Sequence, residues 1–277
     1  MKHIAVIATV RNGGIFLPKW IDYYGQQFGE QNLFVTLDGA DESHPRDTDV
    51  NFTAIPHRPM PRVPGEKRRA AYLSAQARTL FMQGYDAVIA TDIDEFIVVD
   101  PRANVSLAEY LSAVDGVESL SALGLDVIQH LDNEGEIDPK SNWLAQRKYA
   151  QLASRYTKPS ITFKPLNWGS GMHRIKGRNF RIDPNLFMIH TGMIDAKIAK
   201  VIGMGDDRVS QGWSAHQERR EKVFQQIRKE PAEDGNAAFT RARRKMSVLR
   251  PIHAWNKPGS IRKNSIVKLP DEFADIL

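Results

Sequence analysis

Short apolar runs rich in β-branched residues alternate with segments of helical character over the first hundred residues, and this order constrains the fold more than any single motif. The first run, "IAVIATV" (4–10), is stopped by Asn12-Gly13-Gly14, as suits a buried parallel strand and its turn. "IFLPKWIDYYGQQFG" then places Phe16, Trp20, Tyr23, Tyr24 and Phe28 near helical spacing, with Gly29 as the stop, and the aromatic stripe reads as core. "NLFVTLDG" (32–39) is the second run and "FTAIP" a brief third. A helix is expected from about 64–66 to 83, closed by Gly84, and "YDAVIATD" supplies the next strand. The order β-α-β-(β)-α-β predicts an α/β fold: a mostly parallel, doubly wound sheet flanked by helices.

Downstream, Ser106-Leu107-Ala108-Glu109 matches a capping box opening a helix to about 114, and "SLSALGLDVIQHL" reads as a further strand or strand pair. Residues 133–180 are polar and broken by Pro139, Pro159, Pro165, Gly169, Gly171 and Gly177, the content expected of functional loops. "LFMIHTGMID" (186–195) reads as a buried strand interrupted by His190, and the remainder as mostly helical and basic.

The chain of 277 residues is long enough for one large α/β domain, and it has no cysteine. Disulfides, thiolate zinc sites, iron–sulfur clusters and cysteine nucleophiles are excluded, and a reducing compartment is the simpler expectation. The start, "MKHIAVIATVRNGG", reads as a first strand, not a signal peptide, because Arg11-Asn12 follows its short apolar run at once. No window approaches the ~20 apolar residues that span a bilayer, so a soluble or peripheral, cytoplasmic protein is expected.

The net charge of +5 conceals an asymmetry: residues 1–138 hold 11 Lys+Arg against 21 Asp+Glu, and residues 139–277 hold 27 against 12. "ERREKVFQQIRK" (218–229) and "RARRKMSVLR" (241–250) are solvated helix faces or a surface for anionic lipid, phosphate or an acidic acceptor. Nucleic acid ranks last, since no zinc-finger spacing or aromatic RNA-binding motif accompanies the charge.

Asp-x-Asp occurs twice, as Asp47-Thr48-Asp49 and Asp92-Ile93-Asp94. The first lies in a polar loop. The second follows a buried strand, and ligands bind at the carboxyl ends of strands in open α/β sheets. A strand tip alternates its side chains, so Asp92 and Asp94 are expected to share one side and Glu95 to hold the turn. Two carboxylates together suit a hard divalent cation that completes its shell with water and phosphate; the competing reading is a solvated acidic turn or a pair neutralised by Arg.

"VIATDIDEFIVVD" resembles the Asp-x-Asp-Glu-Phe signature of glycosyltransferases of the GT-A (Rossmann-like) fold, close to the family 2 and family 92 types that transfer a sugar from a nucleotide donor. "IAVIATVRNGGIFLPKWIDYYGQQFG", "FVTLDGADE" and "GEKRRAAYLSAQARTLFMQGYDAVI" are similar to that group's first strand and helix, second strand, and helix before the metal motif. The resemblance covers about residues 3–100 and continues weakly through 160–195. It implies a nucleotide-sugar-binding catalytic domain over 1–210 and a basic, mostly helical extension over 211–277 packed on it.

Carried over residue by residue, Thr9, Arg11 and Asp38 lie around the base and ribose of the donor, and Arg69 faces the nucleotide. Asp92 contacts ribose or metal, and Asp94 binds Mn²⁺ or Mg²⁺, joined by one imidazole, from His173 or His190. Lys164 matches a lysine that meets the diphosphate. Each has a plainer alternative: Arg11 caps the turn, Asp38 closes a turn with Gly39, Arg69 is an exposed helix charge, and His190 is a satisfied core histidine. Asp195 and Asp206, the latter within an Asp206-Asp207 pair, are the base candidates, although the family's Glu-Asp pair with its downstream Gln-x-x-Arg-Trp motif is missing. The implied partners are a nucleotide-diphosphate sugar and a glycan or lipid-linked acceptor, with peripheral contact to an anionic membrane. Two rivals stand beside this: a nucleotidyltransferase, which would want a Gly-rich Lys/Arg signature where "VRNGG" stands, and a non-catalytic binder of anionic membrane or glycan.

Overall fold

The computed structural model describes residues 1–203, 214–250, 255–261 and 265–277. Its centre is strand β1 (Ile4–Val10), flanked in parallel by β2 (Leu33–Asp38) and β4 (Ala87–Ala90), with β3 (Asn51–Ile55) parallel outside β2. Helix α1 (Phe16–Phe28) covers one face and α2 (Arg62–Met82) the other. The aromatic stripe of α1 is core as expected, with Phe16, Trp20 and Tyr24 buried against Val6 and Ala8 of β1. On the opposite face Ala70, Leu73, Ala77 and Leu80 of α2 pack on Ala5, Ile7, Val88 and Ala90. Each large side chain so buried contributes about 1.5–3 kcal/mol. The chain is thus α/β, with a parallel nucleus covered by helices on both sides.

Beyond β4 the architecture departs from simple alternation. β5 (Glu95–Val99) pairs antiparallel with β9 (Ile182–Met193), and β9 runs parallel to the long β6 (Ser119–Ile128), which follows the short helix α3 (Leu107–Ser112) with its capping box of Ser106 and Glu109. The loop-rich stretch 133–180 holds two short strands, β7 (Tyr149–Leu152) and β8 (Ile161–Thr162). β8 sits between β4 and β6, antiparallel to both, which joins the two halves into one sheet. After β9 come α4 (Ala196–Gly203), α5 (Ser214–Lys229), β10 (Glu233–Asp234), α6 (Gly235–Val248) and β11 (Ile266–Lys268). The region read as a helical extension also supplies sheet: β11 pairs antiparallel with β7, and β10 with β11 in parallel. Among the described residues no helix is long and apolar enough to cross a membrane.

A single glycine fixes how the segment between β7 and β8 lies. A Cβ on Gly124 of β6 would stand 2.5 Å from the Ala153 carbonyl oxygen and 2.7 Å from the Thr157 nitrogen, both backbone atoms that cannot swing aside. The Gly124 N–H is also bonded to Thr157 Oγ1 at 2.9 Å. Gly124→Ala is therefore expected to lower the unfolding free energy by about 1–3 kcal/mol through overpacking, read by urea denaturation; an unchanged midpoint would show that 153–158 is not seated on this strand.

Candidate functional site

The carboxyl ends of the parallel strands bring Thr9, Arg11, Asp38 and Asp92 to one edge of the sheet, where crevice ligands bind in such folds. Residues 92–95 do not continue the strand. The Glu95 N–H donates to the Asp92 carbonyl at 3.0 Å, and the Asp92 N–H to Glu95 Oε2 at 3.2 Å, so Glu95 closes a tight turn. The strand alternation assumed for Asp92 and Asp94 does not apply at this turn: the chain is leaving β4 to start β5, and the two carboxylates are met by different partners. From below, α1 holds the turn, with Trp20 Nε1 on Thr91 Oγ1 at 2.9 Å and the Tyr24 hydroxyl accepting from Ile97 N–H at 2.8 Å.

Asp92 is met by cations. Arg69 of α2 bonds its Oδ1 and reaches Glu66 at 2.9 Å, while Lys158 Nζ lies 3.4 Å from its Oδ2 and 2.7 Å from Glu95 Oε1. Burial alone would push the Asp92 carboxyl up, but Arg69 and Lys158 outweigh it and hold it well below the ordinary carboxylate range. Glu95, wholly buried, is pushed up to about 7 by desolvation, with Lys158 opposing. Arg69 thus faces Asp92 and Glu66, the neutralising role the competing reading named.

Asp94 belongs to a second group. His190 of β9 pairs in register with Glu95 of β5 on one side and with Asp126 of β6 on the other. Its Nδ1 lies 2.6 Å from Asp126 Oδ1 and its Nε2 3.3 Å from Asp94 Oδ2. Arg155 Nη2 donates to Asp126 Oδ2 at 2.9 Å, and the Tyr156 ring stacks on the imidazole at 3.7 Å. The Asp94 backbone is fixed by Thr191, whose N–H and Oγ1 both donate to the Asp94 carbonyl. Burial would lower the His190 pKa, but Asp94 and Asp126 raise it to about 9. The side chains of Asp92 and Asp94 are 26% and 24% exposed, so solvent reaches both from the open edge.

Gly192 shapes the space between acid and imidazole. A Cβ there would fall 2.7 Å from Asp94 Oδ2 and 2.9 Å from His190 Nε2, so the missing side chain leaves open the volume that both atoms border. Among the described residues no three His, Asp or Glu side chains converge to hold a metal by themselves.

The other expected residues are placed as follows. Arg11 Nη1 donates to the Asp38 carbonyl at 3.1 Å and to Asp41 Oδ1 at 2.8 Å, and Asp38 Oδ2 lies 3.0 Å from His57 Nδ1. Thr9 is half-buried and paired with Thr36. His173 packs over Gly171 near Glu66, with its pKa lowered to about 4 by burial and by Lys158; the imidazole that meets Asp94 is His190's. Lys164 is a correction: β8 runs antiparallel to β4, so Lys164 emerges at the opposite edge of the sheet and pairs with Glu118. The lysine delivered to the acidic turn is Lys158, on the other side of the same strand, where the Ala90 N–H meets the Ser160 carbonyl. Asp195 is buried and spent on backbone, accepting from Ile137, Lys197 and Ile198 N–H at the start of α4, which leaves it no free face for a base. Asp206 lies outside the described residues.

Sequence reading missed Asp126, Arg155, Tyr156, Lys158 and Gly192. Asp126 carried a signal, a lone acid inside the ten-residue apolar strand β6, and Arg155, Tyr156 and Lys158 sat in a stretch read only as loop.

No protein-family model and no curated protein matches the chain. Among solved structures, the crystal structure of a mannose-1-phosphate geranyltransferase from Thermus thermophilus is similar with a TM-score of 0.31 at 9% identity, over 76% of this chain and 67% of that one.

In metal-free protein the His190 pairing raises a folded-state pKa from 6.5 to about 9. Its contribution to stability is fully present below pH 6.5 and lost as pH rises through 9. Melting with a chelator present is expected to show the wild type losing stability across that window and His190→Gln losing less; parallel profiles would remove His190 as the charged bridge.

Proposed function

We propose that this chain is a divalent-cation-dependent glycosyltransferase of the GT-A type, moving a sugar from a nucleotide-diphosphate donor to a glycan or lipid-linked acceptor. The observation that carries it is the cradle at Gly192, bordered by Asp94 Oδ2 and His190 Nε2 at the carboxyl edge of the sheet. Asp94 Oδ2 and His190 Nε2, 3.3 Å apart, are the two groups that would hold a divalent cation there. Asp126 on Nδ1 is the carboxylate that a metal-binding histidine commonly carries on its other nitrogen, and it leaves Nε2 as the nitrogen that can give up its proton.

Two protein ligands suit Mn²⁺ or Mg²⁺, which takes its other positions from water and phosphate oxygens. When bound, the cation supplies charge that stabilises a diphosphate leaving group. The chain's own residues prepare the place. Arg69 and Lys158 keep Asp92 ionised and pin the turn that presents Asp94, and Thr191 fixes the Asp94 carbonyl. Thr9, Arg11 and Asp38, at the ends of β1 and β2, are the residues proposed to lie along the nucleotide.

The nucleotidyltransferase reading loses support from the loop after β1. Its Asn12 and Gly13 N–H groups donate to the Glu42 carboxylate at 2.8 and 2.9 Å, so they are not free to cradle phosphate.

Thermal unfolding with a panel of nucleotide-diphosphate sugars tests the reading. UDP- or GDP-sugars with Mn²⁺ are expected to stabilise the wild type, by about 2.7 kcal/mol at a hundredfold excess over Kd. Asp94→Asn and Gly192→Ala should abolish the metal-dependent part, and Asp126→Asn should weaken cation affinity about 10–100-fold. If no nucleotide stabilises the wild type with any divalent cation, the assignment fails.

A further inference from the structure

The end of α6 breaks the pattern that buries the rest of that helix. Ala238, Phe239, Ala242 and Met246 face the core, yet the next apolar residues, Val248 and Leu249, are 71% and 65% exposed, and Trp255 is 48% exposed. After them the chain folds back on the helix end. The Gly259 N–H bonds the Met246 carbonyl at 2.8 Å, a Cβ on Gly259 would stand 2.5 Å from the Leu249 carbonyl oxygen, and Arg250 Nη1 donates to the Trp255 carbonyl at 2.7 Å. Arg244 and Lys245 are exposed one turn before Val248, and Lys257 follows Trp255. Between Asp234 and Asp271 the sequence has nine Lys+Arg and no acid, so nothing on this stretch neutralises them.

We infer that this surface, with Val248, Leu249 and Trp255 as the apolar contact and Arg244, Lys245 and Lys257 around it, docks the protein on an anionic lipid bilayer. A soluble polyanion would need the cations alone. Exposed aliphatic side chains and an exposed tryptophan at one helix end, in a stretch that carries Lys and Arg but no acid, match the chemistry of a membrane interface, where the indole sits among headgroups, aliphatic groups enter the acyl boundary and cations meet lipid phosphates. The inference stands on this surface alone and is independent of the donor assignment.

Co-sedimentation of the full chain with vesicles tests it, without nucleotide or metal. Vesicles of phosphatidylcholine mixed with phosphatidylglycerol are expected to carry the protein down, pure phosphatidylcholine is not, and raised salt should release it. Each basic charge removed should weaken partition about fivefold, so Arg244→Ser with Lys245→Ser should cost roughly twentyfold or more. Leu249→Ser and Trp255→Ser should each weaken it several-fold; all are exposed, and an unchanged melting curve confirms the fold. No binding to the mixed vesicles, or equal binding to pure phosphatidylcholine, overturns the inference. Loss with the charge variants but not with Leu249→Ser or Trp255→Ser also overturns it, since that pattern marks a polyanion site.

Discussion

The register of β9 between β5 and β6 is the constraint on which the rest of the site depends. It sets His190 opposite Asp126 on one strand and Glu95, the neighbour of Asp94, on the other, so an imidazole deep in an apolar run is held between the Asp126 and Asp94 carboxylates. A slip of one residue would turn His190 to the other face of the sheet and put Ile189 or Thr191 in its place. The apolar alternation of three buried strands therefore fixes the geometry of a polar centre, and Asp94 only has to be brought to it by the turn that Glu95 closes.

Electrostatics explains why so many acids tolerate one another at that edge. Asp92, Asp94, Glu95 and Asp126 meet Arg69, Lys158, His190 and Arg155, cations that arrive from three parts of the chain: α2, the segment between β7 and β8, and β9. The buried members, Glu95 with Lys158 and Asp126 with His190, cost desolvation and are kept only when closely matched. The pairing divides the cluster. Asp92 and Glu95 are tied to Arg69 and Lys158 and serve the turn, whereas Asp94 and His190 border open space at Gly192. Two acids of one short motif thus have different surroundings in three dimensions: Asp92 is paired with cations of the chain, and Asp94 is paired with an imidazole beside open space.

The asymmetry of charge along the chain acquires a shape of the same kind. The acidic half contains the parallel nucleus and the turn, and the basic half supplies the cations that cross into it, Arg155 and Lys158, as well as the surface at the end of α6. Basic residues thus have two distinct environments, and net charge alone does not separate them. Arg243 shows the inward one, packed over the Phe187 ring and donating to the Asp183 and Leu186 carbonyls, while Arg244, its neighbour, is exposed.

The sequence by itself determined the elements whose pattern is local. The parallel nucleus, α1 with its aromatic core stripe, α2, the capping box at Ser106 and the place of Asp92–Glu95 after a buried strand all follow from periodicity, stop signals and short-range polar chemistry. Tertiary structure alone decided which distant side chains meet. Lys158 and not Lys164 reaches the turn because β8 runs antiparallel to β4, a pairing no local pattern encodes. Asp126 joins His190 through strand register across 64 residues, and Asp195, legible as an acid in the right region, is consumed by the start of α4. Propensity acts over a few residues, whereas a site is assembled by packing and register over the whole chain, so the sequence names its candidates and the fold chooses among them.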